Sequence, residues 1–167
     1  MAVLDVVIYP DPVLRENLED VETIDDDLKK LAEDMADTMY DSRGVGLAAN
    51  QINSTKRILV FDPDPDPEIR NYTVLVNPHI VEKEGSQISK EEGCLSLPGI
   101  RADVKRYERV KVKALNLDGE EVEIDGTELV GIILQHEIDH LNGKVFIDRL
   151  SSLKKKFYHK KLVKQAQ

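Results

Sequence analysis

Two histidines stand four residues apart with a glutamate directly after the first: His136, Glu137 and His140, within Gln135-His136-Glu137-Ile138-Asp139-His140. On a helix, positions i and i+4 share one face, so both imidazoles can point at a single ion. Glu137 then reaches a water beside that ion without being a ligand itself. Two ligands, an open position and a carboxylate that moves protons make up a metal-assisted hydrolase. The same spacing also suits an amphipathic helix with two satisfied histidines. Two features favour chemistry: Leu129-Val130-Gly131-Ile132-Ile133-Leu134 is apolar enough to bury the helix, and two of only 4 histidines in the chain sit at ligand spacing.

A catalytic site of this kind needs a third protein ligand. The long metalloprotease pattern places a histidine six residues after the second; Gly143 fits that pattern, but Phe146 occupies the histidine position. A downstream glutamate is also ruled out, since none follows Glu137. Asp148 and His159 are the remaining downstream options. Upstream, Cys94 is the strongest candidate. It is the single cysteine, it has no disulfide partner, and its thiolate is a strong metal ligand.

The elements that must position these residues follow from periodicity and turn chemistry. Residues 3–9 read as an extended start broken by Pro10-Asp11-Pro12. A helix begins at Asp25 to Asp27, with an apolar stripe of Leu28, Leu31, Ala32, Met35 and Met39, and Gly44 is expected to stop it. Gly44-Val45-Gly46-Leu47-Ala48-Ala49-Asn50-Gln51 permits close backbone approach, and no Lys-Ser/Thr follows to make it a phosphate loop. Arg57–Phe61 and Tyr72–Val76 read as strands, the second closed by Asn77-Pro78, with continuation from Ile80 to Lys83. Between the two strands, residues 62–67 read as a stiff, exposed Asp-Pro loop. Glu91–Gly99 is expected to be an irregular loop around Cys94. Val104–Tyr107, Arg109–Leu115 and Val122–Ile124 are strands, with Asp118-Gly119 as a hairpin turn. Asn142-Gly143 ends the histidine helix, and Ser151 or Ser152 caps a last helix. The expectation is α+β, a single catalytic domain over residues 1–167 with mostly antiparallel sheet.

Composition limits the alternatives. The chain has 167 residues, 41% hydrophobic and 33% charged, with no apolar run near the length of a membrane span. No signal or transit peptide is apparent, so a cytoplasmic location without membrane partners is expected. Net charge is −9, but residues 149–167 carry +7 and the remainder −16. The acidic body disfavours general or sequence-specific nucleic-acid binding, whereas the basic segment 151–167 suggests a local anionic partner or a solvated face.

Three stretches together resemble the signature motifs of the peptide deformylases: Gly44 to Gln51, Glu92-Gly93-Cys94-Leu95-Ser96-Leu97-Pro98, and Gln135 to His140. The resemblance covers essentially the whole chain. It implies a hydrolase that removes the formyl group from the N-terminal formyl-methionine of new polypeptides, releasing formate. It implies Cys94, His136 and His140 as metal ligands, Glu137 as proton carrier, and the Gln51 amide with the Leu95 N–H as oxyanion donors. Backbone at Val45 and Gly46, with Gly93 opposite, would pair with the peptide as an added strand. Val45, Leu129, Ile132 and Ile133 would line the methionine pocket, and Arg101 is a candidate peptide contact. The resemblance points to Fe2+, with Zn2+, Ni2+ or Co2+ able to substitute, and to ribosome docking through the basic C-terminal helix. The rival readings are a general metallopeptidase, a structural metal site, and a ribosome-binding module without catalysis. The first lacks its downstream ligand, the second leaves Glu137 without a role, and the third makes the metal motif redundant.

Overall fold

The computed structural model describes residues 2–167. In chain order the regular elements are α1 (Asp26–Asp41), β1 (Gly46–Ala48), β2 (Ile58–Phe61), β3 (Thr73–Glu84), β4 (Gln87–Cys94), β5 (Leu97–Arg106), β6 (Arg109–Leu115), β7 (Glu121–Thr127), α2 (Glu128–Leu141) and α3 (Ser152–Gln165). Three short 3-10 turns at Pro12–Arg15, Ala49–Ile52 and Phe146–Arg149 join them.

Every strand pairing is antiparallel. Five strands form one sheet in the order β1-β2-β3-β6-β7, and β4 and β5 form a separate hairpin. The architecture is the expected α+β. The composition of each strand explains its place. All four residues of β2 are buried, as suits a short apolar strand covered on both faces. In β6, Val110, Val112 and Ala114 face the core, and Arg109 and Lys111 between them pair with Glu82, Glu123 and Asp125.

Two apolar cores hold these layers. The larger joins α1, the five-stranded sheet and α2 through residues such as Leu28, Met35, Leu59, Val112, Leu134 and Ile138. Each such side chain contributes ~1.5–3 kcal/mol on burial. The smaller joins the N-terminal segment, β5, the Phe146–Arg149 turn and α3 through Tyr9, Leu14, Leu97, Val104, Phe146 and Leu162.

Asp25 caps α1 by accepting from the Leu28 N–H, and Ser151 caps α3 by accepting from the Lys154 N–H. Gly143, at φ +79°, follows the end of α2. Four expectations need correction. It is Arg43 at φ +57°, not Gly44, that takes the left-handed position after α1. Asn77-Pro78 does not close its strand: β3 runs through it with a register shift and Asn77 at φ +54°, as a bulge allows. The segment around Cys94 is not an irregular loop but the tight end of the β4–β5 hairpin, with Cys94 opposite Leu97. The loop at residues 62–67 is not wholly exposed, because Asp62 is buried and accepts from the Tyr40 hydroxyl at 2.7 Å.

Candidate metal centre

The histidine helix is pressed hard against the sheet. A Cβ on Gly131 would lie 2.9 Å from the Gly126 carbonyl oxygen, so α2 reaches β7 only because both positions are glycine. Gln135 locks the helix in rotation: its Nε2 donates to the Tyr107 carbonyl (2.9 Å) and its Oε1 accepts from the Tyr107 N–H (2.8 Å). At the far end, Asn50 Nδ2 donates to the His140 carbonyl. The outcome is a helix whose polar residues His136, Glu137 and His140 are all buried.

The hairpin end then delivers Cys94. Its sulfur lies 3.3 Å from His140 Nε2, and the ligand atoms of Cys94, His136 and His140 lie within 4.8 Å of one another. Glu92 Oε1 sits 2.6 Å from His136 Nδ1, which leaves Nε2 as the nitrogen free for a ligand role. Such a carboxylate fixes the ring and its tautomer. Glu92 is itself held by Arg106, whose Nε donates to Oε2 at 3.2 Å. Arg106 Nη1 also donates to Asp139 Oδ2 at 2.8 Å, and Arg149 Nη2 to Asp139 Oδ1 at 2.7 Å. Burial pushes the Glu92 carboxyl up, but the bonds from His136 and Arg106 outweigh it and bring the value down to about 2.

The protein's own groups set the two imidazoles apart. Burial disfavours charge on both. At His136 the Glu137 carboxylate, with Cys94 and Glu92, more than reverses that and holds the ring well above its ordinary value. At His140 burial and the neighbouring His136 push the ring well below. Glu137 is driven the other way: burial, partly offset by His136, raises it to about 7. Its Oε1 is buried without a hydrogen-bond partner in the protein, so a carboxylate oxygen is available at the centre. Two imidazoles and a sulfur converging beside an unpartnered carboxylate fit a four-coordinate ion with three protein ligands and one open position. The sulfur argues against magnesium or calcium.

A cavity of about 760 Å3 opens on this centre, and Val45, Gly46, Gln51, Gly93, Cys94, Leu95, Arg101, Leu129, Ile132, Ile133, His136 and Glu137 all line it. His140 does not; it is fully buried behind Cys94. Gln51 Nε2 donates to Ser96 Oγ at 3.1 Å and to Cys94 Sγ at 3.5 Å, while its Oε1 accepts from the Ala48 N–H. Gly46 belongs to β1, the terminal strand of the sheet. Of the apolar residues, Ile133 is buried and Leu129 is 48% exposed, so the group runs from the core to the rim. Arg101 Nη1 donates to the Glu91 carbonyl at 3.3 Å.

The other two third-ligand options are engaged elsewhere. Asp148 accepts from Arg15, Lys155 and the Val145 N–H, and His159 Nδ1 lies 2.5 Å from the Tyr9 hydroxyl. The residues that sequence reasoning missed are Glu92, Arg106, Asp139 and Ser96. Glu92 stood inside a quoted motif, two residues before Cys94. Arg106 gave no signal, because its partners come together only when β5 pairs with β4 and packs on α2.

Comparison with known proteins gives matches over nearly the whole chain. The family model described as polypeptide deformylase matches residues 3–156. A peptide deformylase of Pseudoalteromonas translucida is 49% identical over 167 residues, covering 99% of this chain and 98% of the relative. One from Alkalilimnicola ehrlichii is 46% identical, covering 98% of this chain and 91% of the relative. Among solved structures, a peptide deformylase from Legionella pneumophila superposes with a TM-score of 0.88 at 45% identity, covering 99% of this chain and 96% of that one. The Ehrlichia chaffeensis enzyme in complex with actinonin superposes with 0.88 at 40% identity, covering 99% and 98%.

Proposed function

The chain belongs to the peptide deformylase family, and from that premise we infer how its own residues carry out the family's reaction. The reaction is hydrolysis of the N-formyl group of formyl-methionyl peptides: water adds one oxygen to the formyl carbon, the C–N bond breaks, and formate leaves with that oxygen and the original carbonyl oxygen while the peptide leaves with a free amine. The observation that carries the reading is the convergence of Cys94, His136 and His140 within 4.8 Å, beside the buried Glu137.

Cys94, His136 and His140 would hold a divalent ion. When bound, that ion supplies Lewis acidity and lowers the pKa of water. Glu137 takes the proton of the attacking water and hands it to the leaving amine as the C–N bond breaks. Burial, which raises its carboxyl, favours the protonated form that it takes between the two transfers. The Leu95 N–H and Gln51 Nε2 stabilise the oxyanion, each worth a few kcal/mol. The 3.5 Å contact to sulfur is the weaker of Gln51's two donor bonds, and it is the one exchanged for the substrate.

The free edge of β1 at Gly46, with Val45 and Gly93, pairs with the peptide main chain, which tolerates varied downstream side chains. Val45, Leu129, Ile132 and Ile133 receive the methionine, and Arg101 contacts the peptide. Residues 1–167 act as one catalytic domain. Fe2+ is the working ion and Zn2+, Ni2+ or Co2+ substitute, since the donor set accepts all four. An Fe2+ ion held there would make the site oxygen-sensitive, and Cys94 is itself an oxidisable ligand. The protein works in the cytoplasm on nascent chains and docks on the ribosome through α3, whose lysines are exposed. Among the described residues no helix is long and apolar enough to cross a membrane. The test is Glu137→Gln: bound metal and fold persist while formate release falls ~100-fold or more; retained turnover would refute the role given to Glu137.

A further inference from the structure

On the opposite side of α2 from the catalytic cleft lies a second cavity, of about 700 Å3. Gln135, Ile138, Asp139 and Asn142 of the helix form one wall. The volume is within the range of small-molecule sites. Its lining is basic, as the surface of α3 is, in contrast to the acidic remainder of the chain. Arg57, Lys83, Lys105, Arg106, Lys144 and Arg149 line it against a single carboxylate, Asp139, in a protein whose net charge is −9.

The two arginines at the floor are buried and differ in how they are compensated. Arg106 is bonded to Glu92 and Asp139. Arg57, only 2% exposed, spends its N–H groups on the carbonyls of Pro78, Leu18 and Leu141. Its nearest carboxylate is Asp20, at 3.7 Å and 55% exposed, which is already engaged by His79 at 2.7 Å. Arg57 is thus a buried cation satisfied in hydrogen bonds but poorly neutralised in charge, a state that a nearby anion would stabilise. At the rim Lys83, Lys105 and Lys144 are exposed and form no ion pair among the described residues. The Tyr107 ring, 42% exposed, adds a flat aromatic surface with Lys83 Nζ 5.1 Å from its centroid.

We propose that this cavity is a binding site for the phosphate groups of a small, multiply charged ligand. The buried guanidiniums at the base supply positive charge, the exposed ammonium groups at the rim supply free donors, and Tyr107 supplies an aromatic wall, a combination that suits a phosphate-bearing molecule. The concave shape favours a free ligand over an RNA backbone, which tracks along open grooves. Arg106 belongs to both sites, so the occupant sits beside the side chain that holds Glu92 on His136.

The experiment is calorimetric titration of tripolyphosphate into the full-length, metal-loaded protein at low salt. Saturable binding at one site per chain is expected, weakening as salt rises. The triple variant Lys83→Ala/Lys105→Ala/Lys144→Ala should bind ~tenfold or more weakly while releasing formate as the parent does, which shows that it is folded. A triple variant of α3, Lys156→Ala/Lys160→Ala/Lys164→Ala, should bind tripolyphosphate like the parent. Absence of saturable binding overturns the proposal. So does an equal loss in both variants, which would assign the affinity to diffuse charge. Binding of an RNA hairpin through the same cavity lysines, with none of tripolyphosphate, also overturns it and makes the surface a nucleic-acid one.

Discussion

Gly46 lies directly against the Glu137 carboxylate: a Cβ on Gly46 would fall 2.6 Å from Glu137 Oε2 and 3.0 Å from its Cδ. Glu137 is 4% exposed and borders the cavity, so it yields to such a Cβ only by moving its carboxylate. Gly46→Ala should therefore displace the carboxylate from the reacting atoms. The expected result is a kcat lower by ~10-fold or more, with the far-UV spectrum and bound metal unchanged. A variant with parental kcat would mean that Glu137 does not need this position.

Glu92 makes a separate prediction. It fixes His136 through Nδ1 and is itself fixed by Arg106. Glu92→Gln keeps a hydrogen-bonding side chain of the same length and removes the charge. Metal affinity, read by competition with a chromophoric chelator, should fall ~10–100-fold. Unchanged affinity would show that the carboxylate's charge contributes nothing to ligand orientation.

Asp148 contributes to stability in acid. Burial pushes its carboxyl up, but the bonds from Arg15, the Val145 N–H and Lys155 overcome this and hold it below 3.8. A carboxylate depressed on folding stabilises the protein above its unfolded value, and that contribution is lost as pH falls through the folded one. Asp148→Asn should cost about 1 kcal/mol at pH 7, since Arg15 is 40% exposed and the pair is partly screened. Urea unfolding as a function of pH should show the difference between variant and parent shrinking below pH 3.8. A constant difference down to pH 2 would contradict the assignment.

The basic helix α3 is held by Leu162, which is 1% exposed, while Leu153 and Phe157 are 79% and 63% exposed. Deleting it would uncover the smaller core, so charge reversal is the cleaner test. Lys156→Glu/Lys160→Glu/Lys164→Glu should abolish salt-sensitive co-sedimentation with ribosomes and leave formate release from a short peptide intact. Undiminished co-sedimentation would remove ribosome docking from the role of this helix.

Local chemistry was readable from the residues because it is written at short range. The spacing of His136 and His140, the Asp25 cap and the alternation of Val110, Val112 and Ala114 each depend on a few neighbours. The errors lie where tertiary contact overrides local preference. Asn77-Pro78 reads as a strand end, yet β3 absorbs it as a bulge because Ile80 and Lys83 beyond it pair with β6. Gly93 and Pro98 read as loop formers, yet β4 and β5 pair across Cys94 and Leu97. Ligand convergence at Cys94 could be expected from its being the single cysteine. The Arg106–Glu92–His136 chain could not, since it links three separate elements.

The most direct test of the central claim is release of formate from formyl-Met-Ala-Ser by anaerobically purified protein, with metal content determined on the same sample. Formate and free amine should appear in equal amounts, with one Fe2+ per chain, and activity should vanish on chelation or exposure to air. Protein fully loaded with metal that releases no formate would contradict the account.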